Sequence, residues 1–426
     1  MKKLFLLICL SFSFSLFAEI GLQEAINRQN WLKVDRLMNN IPDVKDSIPQ
    51  LQYYFIRASV DNALARYDES NRSLLVLSEM QEIKENPNWM IWLLTLQADN
   101  YVKTFQYRQS AEIFKKIIDN FGDFLGDESL ASYQNAFRMR NAWSEVEPLQ
   151  VQIPHETKIQ LIPDKKEKPQ IQVRTPKDSV LLIFDTGAGF SSVTKSVAER
   201  LGIRILVDSV AVGGGIGNAE FASIGVADTL FVGDILYKNV VFGVLDDELL
   251  IWDEIDYYAH GTLGFPEITA LPSIKIHNKT NLMEVFPATK SLQESNMLFN
   301  NSQQKFVSVN DSLLFHLDTG SSWTDLSVFY YNRNRERIHE IGQLTSVIRG
   351  GIGGSRDFSV YELNDFPIMI GETTTIMPEI KVFTERTFIF GIDDGILGMD
   401  IISQFDYMLL DFKNMRFSLG NKEKSD

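Results

Sequence analysis

Cysteine is all but missing. The single one, Cys9, lies in the apolar N-terminal stretch, so the rest of the chain has no disulfide framework, no thiol nucleophile and no cysteine metal ligands. Histidine is sparse: the five (His155, His260, His277, His316, His339) are scattered, without a His-Glu-x-x-His pair, and no metal site is expected. An excess of positive charge is also lacking. The formal net charge is −15, which argues against nucleic acid or an anionic membrane as partner, since both require clustered cations. Past residue 17 no run is apolar and long enough to span a bilayer, so the mature chain is expected to have no transmembrane segment. There is no Gly-x-Ser-x-Gly elbow, and the glycine clusters do not fit dinucleotide or phosphate-loop spacing. What is present suffices for large cores: 426 residues, 44% of them hydrophobic, are consistent with two or three domains.

Residues 1–18 read as a signal peptide. Lys2 and Lys3 are followed by the apolar stretch Leu4 to Phe17, shorter than the roughly 20 residues of a membrane span, and by the small residue Ala18. Export without disulfides fits a bacterial envelope, so the expected location is periplasmic or secreted.

Two stretches organise the remainder. Val180-Leu-Leu-Ile-Phe-Asp-Thr-Gly-Ala-Gly189 is echoed by Leu313-Leu-Phe-His-Leu-Asp-Thr-Gly-Ser-Ser322. Each is an apolar run, readable as a buried strand, that ends in Asp-Thr-Gly. A carboxylate there, followed by a glycine that permits a tight turn, can be held at the floor of a cleft. The echo continues in order: Gly214-Gly-Ile-Gly217 and Gly350-Gly-Ile-Gly353, then Gly261-Thr-Leu-Gly264 and Gly395-Ile-Leu-Gly398. The chain therefore contains an internal duplication with a domain-sized period of about 135 residues.

From Ile153 to Leu419 the sequence resembles the aspartic proteases of the pepsin and retropepsin kind, here single-chain and bilobal. Asp-Thr-Gly-Ala is similar to the retroviral form and Asp-Thr-Gly-Ser-Ser to the pepsin form. The resemblance implies a catalytic pair, Asp185 and Asp318, hydrolysing peptide bonds without a cofactor. It implies that Thr186 and Thr319 brace the two loops, and that Gly187 and Gly320 let backbone amides approach the carboxylates. Thr262-Leu-Gly264 and Ile396-Leu-Gly398 correspond to the segments that thread past each catalytic loop. Gly214, Gly215, Ile216 and Gly217, with Gly351, Ile352 and Gly353, are candidate flap tips over an extended peptide or protein substrate. The sequence departs from pepsins in having no tyrosine between Gly213 and Phe221. Two facing carboxylates cannot both ionise cheaply; they share a proton, and the ionised member can activate a water. His316 would share a strand face with Asp318 if the run is regular, where it is expected either to tune the pair or, the preferred reading, to be a packed histidine near the cleft.

Glu19 to Trp143 has helical periodicity and little glycine, with Pro42, Pro49 and Pro87 at plausible helix boundaries. Ala58, Tyr67 and Leu74 recur as Ala98, Tyr107 and Phe114, a pattern that resembles tetratricopeptide repeats. Such a region offers a docking surface for a protein partner. Alternation over Thr157 to Ile162 and Gln170 to Val173 predicts a hairpin tipped by the charged turn Asp164 to Lys168, and Ala288 to Gln304 reads as the connection between lobes. Lys275 to Phe286 and Tyr407 to Leu419 read as closing strands.

The expected architecture is multi-domain α plus β: signal peptide 1–18, all-α repeat-like domain 19–147, and an all-β bilobal aspartic-protease-like domain with lobes 152–286 and 287–420, then a tail 421–426. The expected function is an aspartic endopeptidase. The competing expectation is a non-catalytic peptide-binding or scaffold protein of the cell envelope that retains the protease fold.

Overall fold

The computed structural model describes residues 21–41, 43–213, 219–288, 293–386 and 393–421. The expected signal peptide and Pro42 lie outside them, as does the tail beyond Asn421. The chain divides into two compact units, one ending at Pro148 and one beginning at Leu149.

The first unit is all helical, from Leu22 to Trp143. Its helices come as hairpins: Leu22–Asn27 with Trp31–Asn39, Gln50–Ala63 with Tyr67–Glu79, and Pro87–Lys103 with Tyr107–Phe121; Asp127–Trp143 closes the series. The three hairpin turns are built alike. Gln29, Ala65 and Phe105 are left-handed, with φ of 52°, 58° and 61°. Behind them the amides of Asn30, Arg66 and Gln106 donate to the carbonyls of Ala25, Asp61 and Tyr101. Glycine usually takes this left-handed cap position, so its near absence had concealed the repeated turn. Pro49 and Pro87 do sit at helix starts, where a missing N–H costs nothing, and the Asn86 side chain caps the helix behind Pro87.

Ala58 and Ala98 are buried against neighbouring helices, and Phe55 packs on Trp92 with ring centroids 4.4 Å apart. A polar cluster lies within this core. Lys103 Nζ meets Asp99 at 2.7 Å and donates to Asn62 Oδ1, while Asn62 donates to Asp99 and Asn100. Every charge there has a partner, which is the condition for burying one at tolerable cost.

The second unit contains the duplication as strand order. In the first half the order is Pro169–Arg174, Ser179–Phe184, Gly261–Leu263, Ser191–Thr194, Ile235–Leu245, Ala219–Val232, Arg204–Gly213. In the second half it is Lys305–Val309, Leu313–Leu317, Gly395–Leu397, Asp325–Leu326, Thr373–Phe383, Gly354–Ile370, Gln343–Gly351. The two series match position by position. In each, the apolar-Gly strand lies between the motif strand, which it joins in parallel, and an antiparallel neighbour. The first half also closes on itself, through Val173–Val232 and Arg174–Phe231 pairing.

A third sheet takes strands from both halves: Thr157–Gln160, Leu282–Phe286, Ser273–His277, Tyr407–Asp411 and Arg416–Gly420. This corrects one expectation. Thr157–Gln160 pairs with Leu282–Val285 across the shared sheet, and only Ile162–Pro163 pairs with the strand after the charged turn. Alternation marked a strand but carried no information about its partner. The connection between halves likewise contains a strand, Met297–Phe299, at the edge of the second sheet.

Candidate active site

Each motif strand carries its aspartate to the point where the apolar-Gly strand runs beside it. Asp185 N donates to Leu263 O at 3.0 Å, and Asp318 N donates to Leu397 O at 3.1 Å. The turn then folds back on the carboxylate: Asp185 Oδ1 accepts from the amides of Gly187 (2.8 Å) and Ala188 (3.0 Å). The amides of Gly320 and Ser321 and the Asp185 carboxyl lie close enough to the Asp318 carboxyl to favour its ionised form. The two aspartates, 133 positions apart in the motif register of the flanking threonines, are thus brought face to face.

The threonines cross beneath them. Thr186 N donates to Thr319 Oγ1 and Thr319 N to Thr186 Oγ1, both at 3.0 Å. Thr186 Oγ1 in turn donates to Leu317 O, and Thr319 Oγ1 to Phe184 O. Each hydroxyl therefore both accepts from and donates to the opposite motif segment, and both residues are completely buried. Gly187 and Gly320 complete the arrangement. A Cβ at Gly187 would lie 2.5 Å from the Asp318 Cγ, and one at Gly320 would lie 2.7 Å from the Asp185 Cγ. Only glycine leaves room for the opposite carboxyl.

Below each loop, a hydroxyl bonds the apolar-Gly turn. Ser191 Oγ accepts from Gly264 N and donates to Glu267; Thr324 Oγ1 accepts from Gly398 N and donates to Asp400 at 2.6 Å. Glu267 is fully buried, and burial pushes its carboxyl up to about 7.

The electrostatics follow from burial and two lysines. Burial first, and then the Asp318 charge, push Asp185 up to about 7. Burial also raises Asp318, opposed chiefly by the Lys168 ammonium. Lys168 ends the charged turn, where Asp164 Oδ1 accepts from the Lys166 and Lys168 amides and Asp164 Oδ2 accepts from Tyr257. Its Nζ lies 4.6 Å from the Tyr257 ring centroid, and the turn reaches the second half through Ser322 Oγ donating to Lys166 O. The other lysine, Lys305, is fully buried beneath the pair and donates to Thr186 O at 3.0 Å. His316 is a packed side chain: burial holds it down at about 4, and its Nε2 has no partner among the described residues.

The two glycine-rich hairpins fare differently. Gly214, Gly215, Ile216 and Gly217 lie outside the described residues. Gly351, Ile352 and Gly353 form the tip between Gln343–Gly351 and Gly354–Ile370, and this tip is seated on the first half. Trp252 Nε1 donates to Gly351 O (2.8 Å) and Gly354 O (2.9 Å), and Gly353 N donates to Leu249 O. Gly353 has φ of 96°, and a Cβ there would meet Glu220 at 2.5 Å. Lys168, Lys305, Glu267 and Trp252 had no motif to announce them. The only cue in the sequence was the charge of the Asp164 to Lys168 turn.

Comparison with known proteins agrees with the chemistry of the first half. Residues 171–266 match the family described as Aspartyl protease. A retropepsin-like aspartic protease from Rickettsia conorii is similar at 15% identity over 32% of this chain and 91% of its own, with a TM-score of 0.21, too loose an overlay to carry an argument. No curated protein matches the chain. The residues that match the Aspartyl protease family, 171–266, lie within a β-rich region that follows an all-helical one.

Proposed function

We propose that the chain is an aspartic endopeptidase whose reacting pair is Asp185 and Asp318, in a cleft between two duplicated lobes, 152–286 and 287–420. The observation that carries this reading is the pair itself: two buried carboxyls, each against the opposite loop's glycine, on crossed Asp-Thr-Gly loops, with one proton to share between them. The ionised member takes a proton from a water, whose oxygen bonds to the peptide carbonyl carbon. The protonated member gives its proton to the carbonyl oxygen. The tetrahedral diol collapses as the C–N bond breaks and the amine nitrogen takes up a proton, leaving an acid and an amine. This chemistry calls for no cofactor.

The substrate in this reading is a peptide or protein segment in extended form, with Gly214, Gly215, Ile216 and Gly217 and the Gly351–Gly353 tip as the candidate flaps over it. The proposal extends to the rest of the chain. The helical domain, 19–147, is a tetratricopeptide-like module for a protein partner, its support being three hairpins with one turn geometry. The protein is exported, periplasmic or secreted. Among the described residues no helix is long and apolar enough to cross a membrane.

The test uses residues 19–426 and an unbiased peptide library at several pH values, with and without pepstatin. Inhibitable cleavage that vanishes in both Asp185→Asn and Asp318→Asn is the expected result, a loss of about 10³-fold or more in kcat/KM. A folded protein that binds peptides without cutting them would instead support the scaffold reading.

A further inference from the structure

Among the described residues two lysines have completely buried side chains, and they are buried differently. Lys103 in the helical unit has an aspartate at 2.7 Å and an asparagine at 3.0 Å. Lys305 has neither. Among the described residues its Nζ makes one hydrogen bond, to Thr186 O, and lies 4.9 Å from the centroid of the Phe265 ring. An ammonium withdrawn from water without a contact ion partner costs several kcal/mol, so packing alone is a poor account of it. Its position offers a better one. Lys305 begins the strand beside the second motif strand, yet it donates to the residue after Asp185, in the opposite half. The first half has no counterpart: the residue matching it in strand order is Pro169, which begins the strand beside the first motif strand. The ionisable groups facing it are Asp185, Asp318, Glu267 and His316, with Lys168 acting on the same pair from the charged turn. His316 is held neutral by burial, and burial favours the neutral form of Glu267 below about 7. In acid the Lys305 charge therefore has one main object, the shared charge of the aspartates.

We infer that Lys305 is a positioning residue that stabilises the singly ionised state of the Asp185–Asp318 pair from below, and so extends that state to lower pH. The inference rests on Asp185 and Asp318 being the reacting pair. A positive charge favours the ionised carboxylate, so its removal makes the first proton harder to lose. Burial holds the ammonium itself down at about 7, so its effect belongs to the acid side of the profile.

The experiment compares the full chain with Lys305→Met and Lys305→Gln. Met keeps a packed stem and removes the charge; Gln also removes the charge but keeps a donor for the Thr186 carbonyl. Carbon-13 labelling of aspartate carboxyls, assigned with Asp185→Asn and Asp318→Asn, reads the titration of the pair directly. The pH profile of kcat/KM reads it through catalysis. Both variants are expected to hold the first proton about tenfold more tightly, with the acid limb of cleavage displaced upward by about one pH unit. An unmoved midpoint in a folded variant overturns the inference, even if activity falls. So does a Gln variant that titrates like wild type, because then the hydrogen bond rather than the charge would be what matters. If the wild-type chain cuts nothing, the carbon-13 midpoint still decides the question, and only the peptidase reading is lost.

Discussion

The two halves of the β-rich unit share one strand order and differ in what surrounds it. The first closes into a ring of paired strands through Val173–Val232 and Arg174–Phe231; the second has no such pairing among its described residues. Beside the aspartates, Ala188 in one half corresponds to Ser321 in the other. Below them, a glutamate bonds Ser191 where an aspartate bonds Thr324. Lys305 enters from the second half and Lys168 from the first, and neither has a cationic counterpart at the matching position. Backbone duplication accounts for the symmetric part of the site, meaning the paired loops, crossed threonines and facing glycines. Asymmetry lies in the side chains that set charge. A shared proton needs two carboxyls in unlike surroundings if each is to have its own role, and here the unlike surroundings were added around a symmetric frame.

After loss of either aspartate, the largest effect expected is on the symmetric part. Thr186→Val and Thr319→Val each orphan a buried amide in the opposite half, costing on the order of 1–3 kcal/mol apiece and lowering activity. Urea unfolding of the β-rich unit measures this, and the two variants should be alike. A large difference between them would mean that the threonine crossing is less even than its geometry.

Glu267 and Asp400 sharpen the contrast next. Burial pushes the Glu267 carboxyl up from the usual carboxylate range to about 7, so the native state binds its proton more tightly than the unfolded chain does. Stability from this group is complete below the unfolded value and declines as pH rises towards 7, by on the order of 3 kcal/mol before relaxation. Glu267→Gln should flatten that slope in a pH series of melting curves. A slope that survives intact belongs to the aspartate pair alone.

The last contrast is at the half-buried Lys168. Its charge is the chief opposition to burial at Asp318 and also lowers Asp185, so Lys168→Met should move the acid limb of kcat/KM upward, as the Lys305 variants do. A downward move would mean that Lys168 acts on substrate rather than on the pair.

Much of this was legible in the sequence, and the physical reasons for the misses are specific. Asp185 and Asp318 could be found because a rigid carboxylate turn requires neighbouring Thr and Gly, and the duplication printed that requirement twice. Helix existence from Gln50 to Trp143 followed from periodicity. The first hairpin, Leu22–Asn27 with Trp31–Asn39, was harder to see because one of its helices is under two turns long. Its turn has Gln29 where a glycine would have been noticed. Lys305 was invisible for another reason. A lone lysine before Phe306-Val-Ser-Val309 reads as a solvated strand end, and only its hydrogen bond to Thr186 O across the half boundary reveals that it points inward. Thr157–Gln160 was recognised as a strand and given the wrong partner, since pairing over 120 residues leaves no local trace.

The shared sheet has a consequence for how such a protein can be taken apart. Its central pair, Ser273–His277 against Tyr407–Asp411, joins the halves in antiparallel register, so each half presents an open strand edge that the other fills. Two separate chains of this kind would already carry the means of finding each other, and the covalent link makes that encounter intramolecular. Within one chain, neither half has to be a fit partner for its own copy.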